Sequence, residues 1–255
     1  MKLFRSLAVY LYIVGKVVYG ASYFKKLEGK REALGDAVVD QKIHDYAHKL
    51  SHKVFKLSGS TFVVKGAENL PTEGTALYVA NHQSYMDAIA MMALFKRPVG
   101  FVVKDDLVGI PFFNKWLEAY QCVPIVRGEA RKGLEAILKT AKLMKNGRDM
   151  MLFPEGTRSK DGSLLPFKAG SLKAAQRGNA MIVPIAIEGA SKMMPRGSYF
   201  VYPAQVTVTV MPAIPADTVK ELETVELARN VRNQIATVLG QPLLTKEAAE
   251  QESAE

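Results

Sequence analysis

Between Thr61 and Val210 short apolar runs alternate with stretches of helical character, and this alternation restricts the fold more than any other feature of the sequence. The runs are Thr61 to Gly66, Thr75 to Ala80, Pro98 to Lys104, Cys122 to Gly128, Asp149 to Glu155 and Met181 to Ile187. Each is mostly aliphatic and short enough for a buried strand. Between them Tyr85 to Phe95, Ile110 to Leu117, Lys132 to Lys145 and Gly170 to Gln176 read as helices, Pro111 suiting a first turn. Strand and helix in alternation predict an α/β fold, a mostly parallel sheet flanked by helices. Gln205 to Val210 alternates polar and apolar residues and is expected as a further strand at an edge. Asp217 to Leu239 predicts a last helix, stopped by Gly240 and Pro242.

Ahead of this domain the N-terminus is apolar and basic. From Met1 to Lys30 the residues Lys2, Arg5, Tyr12, Lys16, Tyr19, Tyr23, Lys26 and Lys30 recur at helical steps, one polar stripe on an otherwise apolar helix. Its longest uncharged stretch, Ser6 to Gly15, is about half of the roughly 20 residues a spanning helix needs. Such a helix is expected to lie in a membrane interface, with Lys and Tyr at headgroup level. A secretory signal and a single-span anchor are the competing readings; Lys16 interrupts any signal core. Glu32 to Leu57 predicts a second amphipathic helix, with His44, His48 and His52 at four-residue steps on a solvated or headgroup-facing stripe rather than around a metal. The expected organisation is a two-helix membrane-association element over 1–58, an α/β domain over 59–240 and a disordered acidic tail over 241–255.

Lys and Arg number 34 against 25 Asp and Glu, a net charge of +9, which suits an anionic membrane or an acidic partner. No helix-turn-helix, zinc-finger or basic-aromatic pattern accompanies that charge, so nucleic acid is not an expected partner. Cys122, the single cysteine, allows no intrachain disulfide and fits a reducing compartment.

Two turns carry chemistry. The strand ending at Ala80 runs into Asn81-His82-Gln83-Ser84-Tyr85-Met86-Asp87, which places His82 at a strand-to-helix turn, where an α/β sheet opens its ligand crevice. A carboxylate in the first helical turn, Asp87, lies five residues on, within reach of that imidazole. It would fix the tautomer and stabilise the imidazolium; the bland alternative is a turn histidine and a helix-capping aspartate. The second turn is Phe153-Pro154-Glu155-Gly156-Thr157-Arg158-Ser159, closing another strand. Lys104, Arg127, Glu155 and Arg158 all fall at carboxyl ends of expected strands, the edge that carries His82. Cations gathered there would suit a dianionic phosphate, Arg as a fork and Lys as a point charge. Gly156 would let backbone approach a ligand closely. No Gly-x-Ser-x-Gly is present, so a hydrolase lacks its nucleophile.

With Phe167-Lys168-Ala169-Gly170 beyond them, these blocks resemble the glycerolipid acyltransferase family, whose signatures are an Asn-His pair with a following Asp, and Phe-Pro-Glu-Gly-Thr-Arg-Ser. Within it the chain is most similar to the bacterial 1-acylglycerol-3-phosphate acyltransferases. The resemblance implies His82 and Asp87 as the catalytic pair. It also implies Lys104, Arg127 and Arg158 on the acceptor's phosphate, and Glu155, with its neighbours Gly156 and Thr157, in acceptor positioning. Val126 departs from the acidic residue common in the family before the arginine matching Arg127. The implied reaction moves an acyl chain from acyl-acyl carrier protein or acyl-CoA to the sn-2 hydroxyl of lysophosphatidic acid, with no cofactor beyond the donor and no metal. The implied location is the cytoplasmic face of the cell membrane, peripheral or monotopic. Acylation of glycerol 3-phosphate or another phospholipid stays open, as does a membrane-bound lipid-binding protein without turnover.

Overall fold

The computed structural model describes residues 1–126 and 128–254. In chain order its first elements are α1 (Lys2–Glu28), α2 (Arg31–Leu34), α3 (Asp36–Ser58), β1 (Thr61–Lys65), β2 (Ala76–Ala80) and α4 (Met86–Leu94). Next come β3 (Val99–Lys104), α5 (Phe113–Ala119), β4 (Val123–Ile125), α6 (Ala130–Lys145), β5 (Asp149–Leu152) and α7 (Ala169–Gly178). The last are β6 (Met181–Glu188), α8 (Ala190–Met193), β7 (Gln205–Val210), α9 (Ala216–Glu221), α10 (Thr224–Leu239) and α11 (Lys246–Ala254). The strands form a mostly parallel seven-stranded sheet flanked by helices, the α/β class that the alternation predicts. Contacts sort the chain into two compact units, each drawn from several stretches. One comprises Met1–Val63, Ser84–Ile125 and Gly189–Val206, the other Val64–Gln83, Val126–Glu188 and Thr207–Glu255.

In the second unit β2 runs parallel to β5, Leu77 opposite Met150, and parallel to β6, Ala76 opposite Met181. All three strands therefore finish at one edge. Every residue of β2 is buried, as expected of a strand covered on both faces. The buried carboxylate of Asp149 ties β5 to β2 by accepting the Ala76 N–H at 2.8 Å. Helices α6, α7 and α10 pack in this unit and bury side chains such as Ile137, Leu172 and Ile235, each contributing about 1.5–3 kcal/mol on burial.

Three expectations in this unit change. β7 is not an edge strand: the order is β1-β7-β6, β7 pairs antiparallel with β6, and most of its residues are buried. The last helix is two, α9 and α10. Gln176 of α7 supplies the reason, donating through Nε2 to the carbonyls of Val219 (3.2 Å) and Leu222 (2.8 Å), while the Thr224 hydroxyl donates to its Oε1 at 3.1 Å. One amide thus satisfies the groups that a helix break leaves open. The tail expected to be disordered carries α11, started by Thr245, whose carbonyl accepts the Ala249 N–H, with Ala249 buried.

In the first unit α1 packs on α3 and α5. Phe24 meets Trp116 edge-on at 4.8 Å between centroids and Tyr46 at 5.4 Å, a favoured aromatic geometry. Trp116 also donates its indole N–H to the Val17 carbonyl at 3.0 Å. A Cβ on Gly20 would fall 2.6 Å from Trp116 Cζ2, so only glycine admits that ring. Gly20→Val is therefore expected to destabilise the protein by about 1–3 kcal/mol, read as a lowered midpoint in chemical denaturation.

The second N-terminal helix is split at Gly35 into α2 and α3, with Arg31 paired to Glu28, Asp36 and Asp40 across the junction. The histidine stripe is not uniformly solvated. His44 is buried, its Nε2 within 2.9 Å of the Phe95 carbonyl, because the stripe rolls into the contact between α3 and α4. His48 faces His52, Nε2 to Nε2 at 3.2 Å, and burial together with that neighbour lowers its pKa from the ordinary histidine value. The outer face of α1 presents Leu3, Phe4, Leu7, Leu11, Val14 and Val18, all exposed.

Candidate active site

The edge at which β2, β5 and β6 finish holds the two signature turns. Asn81, buried just past β2, donates through Nδ2 to the Ile187 carbonyl at 2.9 Å and accepts the Ile187 N–H at 2.7 Å. This pair of bonds fixes the end of β2 to the end of β6 and so sets where His82 begins. His82 gives its backbone N–H to Glu155 Oε1 at 2.7 Å, and its carbonyl accepts the Ser159 N–H at 2.9 Å. Its ring lies on Phe153, 4.1 Å between centroids and 16° from parallel. The two blocks, more than seventy residues apart, are laced into one surface, while the imidazole itself keeps partial exposure.

Glu155 therefore has a role that the spacing did not suggest. It is 5% exposed, and one of its oxygens receives the amide of the candidate base. A charge-assisted bond of this kind is roughly twice as strong as a neutral one. Gly156 turns the chain with φ at 67°, and the place its Cβ would take lies 3.1 Å from Lys168 Cε and 3.3 Å from Lys168 Nζ. Lys168, exposed at the start of α7, thus brings an ammonium over the Glu155-Gly156 turn. The sequence marks it only as part of a flanking block, and its direction back over that turn depends on its backbone N–H bonding the Pro154 carbonyl at 3.0 Å. Thr157 is exposed and Arg158 partly buried on the same turn. Beyond Ser159, hydrogen bonds from Ser163 and Ser159 hold the Asp161 carboxyl down at about 2, so it is charged at neutral pH.

Asp87 opens α4 in the first unit. It is fully buried, and its Oδ2 accepts the Ser84 N–H at 2.7 Å while the Ser84 hydroxyl donates to the Met194 carbonyl at 2.9 Å. One Asp87 oxygen thus closes the turn that leads into α4. Lys104 closes β3 with its ammonium paired to Asp106. Arg127 lies outside the described residues. Among the described residues no cluster of three or more His, Cys, Asp or Glu gathers as a metal site requires.

A family model described as Acyltransferase matches residues 61–188, which contain both turns. A 1-acyl-sn-glycerol-3-phosphate acyltransferase of Borreliella burgdorferi is 30% identical over 183 residues, covering 72% of this chain and 73% of that protein. The chain belongs to the acyltransferase family. Acyltransferase relatives in plants are longer. The chloroplastic 1-acyl-sn-glycerol-3-phosphate acyltransferase LPAT1 of Arabidopsis thaliana is 35% identical over 161 residues, which are 60% of this chain and 45% of that one. The chain thus spans less than half the length of the chloroplastic relatives it matches. The acyltransferase fold extends over the whole chain: the crystal structure of the 1-acyl-sn-glycerophosphate acyltransferase PlsC from Thermotoga maritima matches with a TM-score of 0.78. It is 25% identical, with 100% of this chain and 99% of that one covered.

Proposed function

We propose that this acyltransferase moves an acyl chain from a thioester, carried by acyl carrier protein or CoA, to the sn-2 hydroxyl of 1-acyl-sn-glycerol 3-phosphate. The observation that carries this is the lacing of the His82 turn to the Glu155–Arg158 turn at one strand edge, which puts a base and a cationic turn on a shared backbone frame. His82 takes the proton of the acceptor hydroxyl as its oxygen attacks the thioester carbonyl. The tetrahedral intermediate then collapses, the C–S bond breaks, and the thiolate leaves with the proton that the imidazolium returns. Asp87, five residues on in the sequence, is the carboxylate assigned to steady the imidazole. Arg158, Lys168, Lys104 and Arg127 hold the phosphate, and Glu155 fixes the backbone on which the base stands. General-base help contributes on the order of 10²–10⁴ in rate, and alignment of two bound partners up to about 7–11 kcal/mol. The phosphate-binding cations therefore matter at least as much as the base.

The same reading puts the enzyme on a lipid surface, monotopic rather than spanning. By length and composition α1 could cross a membrane. It is, however, hydrogen-bonded to other parts of the chain along much of its length. The Ser6 hydroxyl accepts the Val201 N–H, Tyr10 donates to the Tyr199 carbonyl, and Tyr46 and Trp116 donate to the carbonyls of Lys16 and Val17. A spanning helix would carry those partners into hydrocarbon or lose their bonds, each costing several kcal/mol. Lying flat, the exposed apolar row meets acyl chains, with Lys2, Arg5 and Lys16 near the headgroups.

The test is a purified enzyme offered lysophosphatidic acid or glycerol 3-phosphate with either thioester donor. Phosphatidic acid formation from lysophosphatidic acid is expected; acylation of glycerol 3-phosphate alone would overturn the acceptor assignment.

A further inference from the structure

The segment after Arg158, from Ser159 to Lys168, belongs to no helix or strand, yet its carbonyls and amides are met by residues near the far end of the chain. Gln241 sits between Gly240 and Pro242 in the turn that ends α10, and its side-chain amide spends both ends on this loop. Nε2 donates to the Gly162 carbonyl at 2.8 Å and Oε1 accepts the Leu164 N–H at 2.5 Å. Arg232, 9% exposed on α10, donates to the Leu164 carbonyl at 3.2 Å and to the Pro242 carbonyl at 3.1 Å, so one guanidinium joins the loop to the turn that grips it. Asn233 holds that turn in place by exchanging two bonds with Leu244, at 2.9 and 2.8 Å. On its inner side the Gly162 carbonyl also accepts from Gln83 Nε2 at 3.1 Å, and Gln83 is the residue after His82. One carbonyl thus lies between the neighbour of the candidate base and the carboxyl-terminal turn.

From this geometry we infer that Gln241, backed by Arg232, is a positioning residue of the acceptor site. It fixes the loop from Ser159 to Leu164 against Gln83 and thereby sets where the Arg158 guanidinium stands relative to His82. This rests on the proposed phosphate role of Arg158. Packing of α10 does not require the clamp, since Leu227, Val231 and Ile235 are fully buried on their own account. What the clamp adds is a second side to the hold on a loop that has no secondary structure to place it, opposite Gln83.

The experiment uses the full chain with Gln241→Ala, Arg158→Ala and the double variant, assayed with lysophosphatidic acid and acyl-CoA. Losing both clamp bonds is expected to raise the KM for lysophosphatidic acid about tenfold, to leave the KM for acyl-CoA unchanged and to add little in the Arg158→Ala background. An unchanged acceptor KM, or full additivity with Arg158→Ala, overturns the proposal. Gln241→Glu, which keeps the acceptor for Leu164 but not the donor to Gly162, is expected to behave like Gln241→Ala. Amide hydrogen exchange in residues 159–164 gives a readout free of turnover. Faster exchange in Gln241→Ala supports the clamp, and unaltered exchange overturns it. Absence of turnover by the parent enzyme on lysophosphatidic acid would instead overturn the acceptor assignment and leave the exchange result to decide the clamp.

Discussion

His82→Ala is expected to lower the turnover of lysophosphatidic acid on the order of 10²–10⁴-fold while leaving the fold in place. The two roles of His82 are separable because they use different atoms. The structural bonds, to Glu155 and from Ser159, are made by its backbone, which alanine retains. The side chain contributes the stacking on Phe153, for which about 0.5–1.5 kcal/mol is a fair upper range, small against a whole domain. A labelled acyl donor gives the rate and circular dichroism gives the fold. Near-parental rates from a folded variant would remove the general-base assignment, and loss of both signals would show that the ring supports structure.

The second large effect is at the lipid surface. Leu7→Glu combined with Leu11→Glu should abolish sedimentation with vesicles containing anionic phospholipid. The two side chains are 51% and 64% exposed, so neither is needed to hold α1 against α3 and α5. In a bilayer interface each leucine contributes about 1.5–3 kcal/mol, and together their loss weakens binding on the order of 10²–10⁴-fold before the added negative charge is counted. Deleting α1 outright would be a poorer experiment, because Phe24 and Leu27 are buried and Trp116 would lose its cover. Undiminished sedimentation of the double variant would mean that another surface carries the attachment.

Much of this was legible in the sequence because it depends on neighbours along the chain. The strands β2, β5 and β6 follow from aliphatic runs of strand length, and the turns at His82 and Gly156 follow from where those runs stop. What periodicity misses is structure made by distant partners. The break between α9 and α10 is satisfied by Gln176, more than forty residues earlier, and nothing between Asp217 and Leu239 announces it. His44 sits in register with His48 and His52, yet the approach of α4 buries it. Glu155 reads in the sequence as an acceptor-positioning carboxylate, and nothing there announces that one of its oxygens also takes the His82 amide. Gln241 looks like an incidental residue in a helix stop, because its partners lie 77 and 79 positions away.

The distance between those partners also gives the clamp a place in time. Strands β2 and β5 leave the ribosome well before residues 232–244 do, so a nascent chain holds both signature turns while the loop after Arg158 still lacks its bonds to Arg232 and Gln241. Domains tend to fold as units during synthesis, and here a late-emerging part of the unit is the part that clamps that loop. A chain still being made would thus carry its imidazole before the loop beside its cationic turn is fully fixed.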